Sequence, residues 1–169
     1  PKEDTGKKFF LEFESIRQTV YLYVNGKFAG YYEAGVTSIG FDISKFVKAG
    51  SDNLIAVATD NIASRGAKVY TVETRPGNEP GDQSGVVYQW NTKDFNEIQG
   101  GITGNVILHA RNPIYQTLPL YSNLKTTGTY VTAKDFDFNA GTATIVVDAE
   151  VRNETKKPAQ LAVEVIVED

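Results

Sequence analysis

Val20-Tyr21-Leu22-Tyr23-Val24-Asn25-Gly26-Lys27-Phe28-Ala29-Gly30 decides the class of fold. Its first five residues place Val, Leu and Val on one side and two tyrosines on the other, the period of two that belongs to a strand. Asn25-Gly26 follows at once. Both residues tolerate positive φ, so this dipeptide between apolar alternations predicts a two-residue hairpin turn. The return strand runs from Lys27 to Tyr32.

The same period extends outward. Upstream, Phe9, Leu11 and Phe13 alternate with Phe10, Glu12 and Glu14. Downstream, Phe41-Asp42-Ile43 leads to Ser44, expected to cap one helical turn through Phe46 and Val47 that Gly50 stops. Asp52-Asn53 turns into a strand from Leu54 to Thr59. Between Asp60 and Gly101 the pattern weakens around Pro76 and Pro80, with short strands expected only at Val69–Val72 and Val86–Tyr88. Long, weakly structured loops in compact domains are often functional. Alternation returns from Ile102 to His109, and Asn112-Pro113 ends it.

A second region follows. Gly128 to Val131 reads as a strand, and Thr144 to Val151 puts Ile145, Val147, Ala149 and Val151 on one face. After a polar turn from Arg152 to Pro158, a last strand is expected with Leu161, Val163, Val165 and Val167 on one side and Glu164 and Glu168 on the other. No helix longer than a turn is expected. Short strands and turns at this spacing predict an all-β sandwich, with a boundary near Arg111–Leu120.

Composition narrows the functions. The chain has 169 residues, enough for one domain or two small ones, and 41% hydrophobic content supports a packed core. Net charge is −4 and no cluster of Lys or Arg exceeds a pair, which argues against nucleic acid. No apolar run approaches the ~20 residues that span a bilayer. Without cysteine there is no disulfide, thiolate metal site or cysteine nucleophile. No metal and no cofactor is expected. The chain begins at Pro1, which reads as an excised piece or a trimmed terminus. Compartment is not fixed by these residues, and a periplasmic or secreted location is the expectation.

These segments resemble family 2 glycoside hydrolases, the group of β-galactosidases, β-glucuronidases and β-mannosidases. Lys8 to Glu14 is similar to an early strand of that family, and Val20 to Gly30 to its Asn-Gly hairpin. Phe41-Asp42-Ile43-Ser44 and Asn53 to Val57 resemble the segments that follow it, and Gly100-Gly101-Ile102 to His109 resembles the closing strand. The set is colinear from Lys8 to Ala110, which makes it more specific than any one motif. The resemblance implies a jelly-roll-like, galactose-binding-type sandwich over residues 1–111, lacking its first strands. Leu118 to Tyr121, Thr127 to Val131 and Asp148 to Glu154 resemble the immunoglobulin-like domain that comes next, here an incomplete one over 112–169. One departure stands out. Where the family's closing strand carries an aromatic, an Arg and an Asp, this chain has Thr103, Gly104 and Asn105.

In the resembled family the two catalytic glutamates, which retaining glycosidases place ~5–5.5 Å apart, sit on a barrel downstream. No catalytic residue is therefore expected in this chain. The resemblance implies that Asp94, just before the closing strand, reaches toward the barrel's sugar site, with Asn91, Asn96 and Glu97 beside it. Trp90, the only tryptophan, is either a stacking platform for a sugar or the largest core residue under the loop. Glu79 and Asp82 read as solvated loop carboxylates. His109, the only histidine, reads as structural, because a lone His makes neither a triad nor a metal site. Tyr31, Tyr32 and Glu33 read as cross-strand packing. Asn153-Glu154-Thr155 fits the glycosylation pattern by chance.

The implied function is the non-catalytic N-terminal portion of a β-galactosidase-like enzyme. Its partners would be a β-linked glycoside bound by the full-length enzyme, the downstream catalytic barrel and a second copy of the chain. The alternative is a free-standing carbohydrate-binding or structural sandwich, since fold alone does not fix function. With both ends cut, Phe9, Leu11, Val20 and Leu22 are expected to be left wet, and the unpaired strands to drive self-association.

Overall fold

The computed structural model describes residues 2–34, 37–60, 100–120 and 123–168. Its strands are β1 Lys8–Phe13, β2 Ile16–Val24, β3 Lys27–Ala34, β4 Ile39–Asp42, β5 Ile55–Asp60, β6 Gly101–Ile102, β7 Val106–Arg111, β8 Ile114–Gln116, β9 Thr129–Asp137, β10 Thr142–Ala149 and β11 Val151–Asn153. A short 3₁₀ turn at Lys2–Asp4 precedes them.

Two sheets form the all-β sandwich. One runs β4-β1-β7; the other runs β3-β2-β5, with β6 also paired to β2. Every pairing is antiparallel. The predicted hairpin is present. Val24 pairs with Lys27 across Asn25-Gly26, both at positive φ (53° and 76°). Gly30 on β3 sits against Phe41, whose ring would lie 2.6 Å from any Cβ at that position. The core joins Phe9, Leu11, Phe13, Ile39, Phe41 and Ile43 from one layer to Ile16, Val20, Leu22 and Val24 from the other. Burying each such side chain contributes about 1.5–3 kcal/mol.

Phe9, Leu11, Val20 and Leu22 are therefore not wet: all four are buried. Among the described residues, the two sheets cover one another at these positions. Uncovered apolar side chains lie instead at Leu54, Ile102, Val106 and Leu108. Leu108 and Val106 pair with Leu11 and Phe13, so they share the inner face but sit toward its rim.

Three other readings change. Ser44 does not cap the helical turn with its side chain. Its Oγ accepts from Phe9 N at 2.9 Å, while Asp42 Oδ1 accepts from Ser44 N at 3.0 Å. The turn itself exists, with Val47 N bonded to Ile43 O at 3.2 Å. The alternation from Thr144 to Val151 breaks at Glu150, where the chain changes partner from β9 to β8. Finally, Leu161 to Val167 is not a strand: Leu161, Val163, Val165 and Val167 are exposed and pair with nothing among the described residues. Alternation decides which way side chains point, but a strand exists only where a neighbour completes its backbone hydrogen bonds.

Tyr115, Leu118, Leu120 and Leu124 dock on the outer face of β4-β1-β7. Phe10 points to that face, and the Tyr115 ring packs against it at a tilt of 51°, with ring centroids 5.4 Å apart. Leu118 and Leu120 complete a second buried cluster. Phe10 is thus buried on the face where simple alternation expects water.

Candidate functional site

The long central segment is rooted at one place. Thr19 pairs with Asp60 at the end of β5, and Arg17 pairs with Gly101 at the start of β6. Both roots lie along the same edge of β2, two positions apart, so residues 61–99 leave and re-enter the sandwich side by side. Trp90, Asn91, Asp94, Asn96 and Glu97 belong to this segment and lie outside the described residues, as do Glu79, Asp82 and the short strands expected at Val69–Val72 and Val86–Tyr88.

Next to this root the chain crosses between sheets twice. Glu14-Ser15 carries it from β1 to β2, and Thr103-Gly104-Asn105 carries it from β6 to β7. The two crossings lock together. Thr103 N and Gly104 N donate to Ser15 O at 3.0 and 3.2 Å, and Glu14 N donates to Asn105 O at 3.0 Å. Asn105 Nδ2 donates to Glu14 Oε2 at 2.8 Å, and the Ser15 and Thr103 hydroxyls are 2.7 Å apart. The departure from the resembled family's closing strand is therefore an anchor of its own. It also interrupts the alternation expected from Ile102 to His109.

On the opposite side, the outer face carries an ionic cluster. Lys8 Nζ lies 2.8 Å from both Asp42 Oδ2 and Glu154 Oε2. Tyr115 donates its hydroxyl to Glu154 Oε1 at 2.6 Å. Partial burial and the Glu154 bond push the Tyr115 phenol up to about 12; burial works to lower Lys8, but the bonds to Asp42 and Glu154 outweigh it and Lys8 is raised. Asp42 stays low because the Lys8 and Ser44 bonds outweigh its burial. Glu154 is lowered by Lys8 first and Tyr115 next. Glu150, lowered chiefly by the Thr127 N–H, also accepts from the Thr117 hydroxyl and so ties the residue after β8 to the approach to β9. Each of these carboxylates is held ionised by donors already in place, a structural arrangement unsuited to proton transfer near neutral pH. Beside the cluster, an open concavity of about 590 Å³ is lined by Lys7, Arg111, Asn112, Gln116 and Thr129.

His109 Nε2 sits 2.6 Å from Glu12 Oε2 across the β1–β7 pair. Tyr31 meets Tyr21 across the hairpin at 4.9 Å between ring centroids. Asn153 is folded into its own turn, accepting from Thr155 N at 2.9 Å and donating to Lys157 O at 2.9 Å, while Glu154 between them serves the ionic cluster. The sequence reading passed over Lys8, Asp42, Tyr115 and Arg17. Nothing local marks the first three, whose partners lie up to 146 positions away. For Arg17 the signal was its place on the strand: it shares a face with Thr19, opposite Ile16 and Val20.

Comparison with known proteins agrees with this geometry. The family profile described as "Glycosyl hydrolases family 2, sugar binding domain" matches residues 2–70. A β-glucuronidase of Formosa agariphila is 38% identical over 91% of this chain, which spans 14% of that protein's length. A β-galactosidase of Thermoanaerobacter pseudethanolicus is 42% identical over 33% of this chain and 8% of its own length. The solved structure of a family 2 β-glucuronidase superposes with a TM-score of 0.71 at 38% identity, covering 92% of this chain and 14% of that one.

Proposed function

This chain carries the sugar binding domain of the glycosyl hydrolases family 2, and from that we propose that it is the non-catalytic N-terminal portion of a β-glucuronidase- or β-galactosidase-like enzyme. In this reading residues 1–111 are the sandwich domain, residues 112–169 begin an immunoglobulin-like domain, and a catalytic barrel follows. The sandwich supports the barrel and lends it the segment that carries Trp90, Asn91, Asp94, Asn96 and Glu97. The substrate is a β-linked glycoside.

The observation that carries the reading is the paired root of that segment on β2 at Thr19–Asp60 and Arg17–Gly101. A segment held at two adjacent points of a rigid strand can present a side chain to a neighbouring domain with little entropic loss. In the full-length enzyme, Asp94→Ala should raise KM or lower kcat while the melting temperature stays at the wild-type value. Wild-type kinetics would remove Asp94 from the sugar site. The isolated chain should release no nitrophenol from nitrophenyl β-galactoside, β-glucuronide or β-mannoside.

A further inference from the structure

The concavity of about 590 Å³ beside the outer-face cluster has the size of a small-molecule site, which runs from about 300 to 1,000 Å³. Its position follows from the path of the chain. β7 ends at Arg111, Asn112-Pro113 breaks the strand, and β8 begins at Ile114. Tyr115 turns inward onto Phe10, so Ile114 and Gln116 face the other way along the strand. The start of β9 brings Thr129 up to Gln116, whose Nε2 donates to the Thr129 hydroxyl. Lys8 pairs with Arg111, and Phe13 with Val106. The concavity thus lies at the end of β1 away from the root of the central segment, about 17 Å along a strand that rises about 3.4 Å per residue.

The lining matches a sugar. Arg111, Asn112 and Gln116 present planar polar groups, and each amide both donates and accepts, as a ring hydroxyl does. Ile114 and Pro119 add apolar surface for the C–H face of a ring. The bond to Thr129 already restrains the Gln116 amide, so less freedom is lost on binding. Charge decides which sugar. Lys7 and Arg111 line the concavity, and no Asp or Glu does. Lys7 is paired with Asp4 at 2.6 Å. Among the described residues Arg111 has no carboxylate partner; its contact is His109 Nδ1 at 3.4 Å, on a ring whose Nε2 is bonded to Glu12. The carboxylates of adjoining elements are engaged as well, Glu150 with Thr117 and Thr127, and Glu154 with Lys8 and Tyr115. A guanidinium fork in this setting favours an anionic group with two oxygens.

We propose that this concavity is an auxiliary saccharide site that takes a short acidic sugar, its acidic group on Arg111 and its ring hydroxyls on Asn112 and Gln116. The site is separate from the segment that carries Asp94 and does not depend on where that segment points.

The test is a titration of the isotope-labelled chain at constant ionic strength, following the side-chain amide resonances of Asn112 and Gln116. Sodium digalacturonate and cellobiose are the probes; sodium acetate and sodium chloride are the controls. Digalacturonate should shift both signals saturably, cellobiose should bind about tenfold more weakly for want of a charge-assisted hydrogen bond, and the controls should shift nothing. Arg111→Gln should bring digalacturonate down to the affinity of cellobiose. Asn112→Ala should weaken both sugars alike, and Asp94→Ala should change neither. No saturation with either disaccharide, or an acetate response equal to that of digalacturonate, would overturn the proposal and leave Arg111 as an ordinary surface charge. Equal binding of the two sugars in the wild type would refute the acidic preference. Loss of binding in Asp94→Ala would move the sugar to the central segment.

Discussion

Asn25 Nδ2 donates to Asn53 Oδ1 at 2.8 Å, tying the turn of the first hairpin to the loop that leads into β5. Each asparagine also serves backbone. Asn25 receives Leu54 N and donates to Phe46 O; Asn53 receives Lys48 N and donates to Lys48 O and Ser51 O. Together they bind the hairpin turn at Asn25 to the segment from Phe46 to Leu54, which lies more than 20 positions away.

Removing either amide therefore leaves several backbone groups without a partner. Asn53→Ala should destabilise the chain by about 1–2 kcal/mol, since the backbone groups it serves at Lys48 and Ser51 are exposed and can turn to water, and a hydrogen bond contributes about 0.5–1.5 kcal/mol net. Asn25→Gly keeps the positive φ and isolates the side-chain loss. Urea unfolding of both single variants and the double variant should show strong non-additivity; additive losses would mean that the Asn25–Asn53 bond contributes nothing.

Gly104 holds the sheet-crossing corner. A Cβ there would lie 2.9 Å from Ser15 N and 3.1 Å from Glu14 Cβ. Placing the resembled family's arginine at this position, Gly104→Arg, should cost about 1–3 kcal/mol from overpacking and lower the melting temperature. Thr103→Ala, which only removes the hydroxyl facing Ser15, should cost less. A Gly104→Arg variant that melts with the wild type would show that the corner can open.

The outer-face cluster gives stability a dependence on pH at both ends. Asp42 and Glu154 are lowered in the folded chain, so their contribution is present above the ordinary carboxylate range and is lost as pH falls through and below about 4. Lys8 and Tyr115 are raised, so theirs is present below pH 10 and is lost as pH climbs, for Tyr115 between 10.0 and about 12. Denaturation midpoints should form a plateau with two falling limbs. Glu154→Gln should flatten both, because Glu154 partners Lys8 and Tyr115 alike. Limbs of unchanged steepness in that variant would assign them to other groups.

Self-association remains the expectation, now for different residues. Tyr130, Val131, Phe136, Phe138 and Ile145 on the β9–β10 hairpin are exposed, and the alternating segment from Leu161 to Val167 pairs with no strand among the described residues. Light scattering should report a mass above that of one chain at micromolar concentration. Val163→Lys with Val165→Lys should return it toward the monomer, as charge on an open strand blocks edge pairing. A wild-type monomer throughout that range would refute the idea.

Local chemistry made much of the sandwich legible. Asn25-Gly26 specified a hairpin because only residues tolerant of positive φ fit its turn, and the period of two sorted Phe9, Leu11 and Phe13 from their neighbours because successive strand side chains point to opposite faces. Those are short-range constraints, written residue by residue. What depends on a distant partner was not written there. Phe10 is buried because Tyr115 and Leu118 arrive over it. Glu154 is a structural anchor because Lys8 lies beneath it, although in sequence it sits inside a polar turn. Leu161 to Val167 alternates as a strand should, yet no neighbour among the described residues completes its hydrogen bonds. Arg17 reads as one more polar residue on an outward face, and only the packing around β2 shows that its charge is hidden. Alternation and turn chemistry determined which way each side chain points; the tertiary structure decided what it meets, because burial and pairing are properties of two segments and not of one.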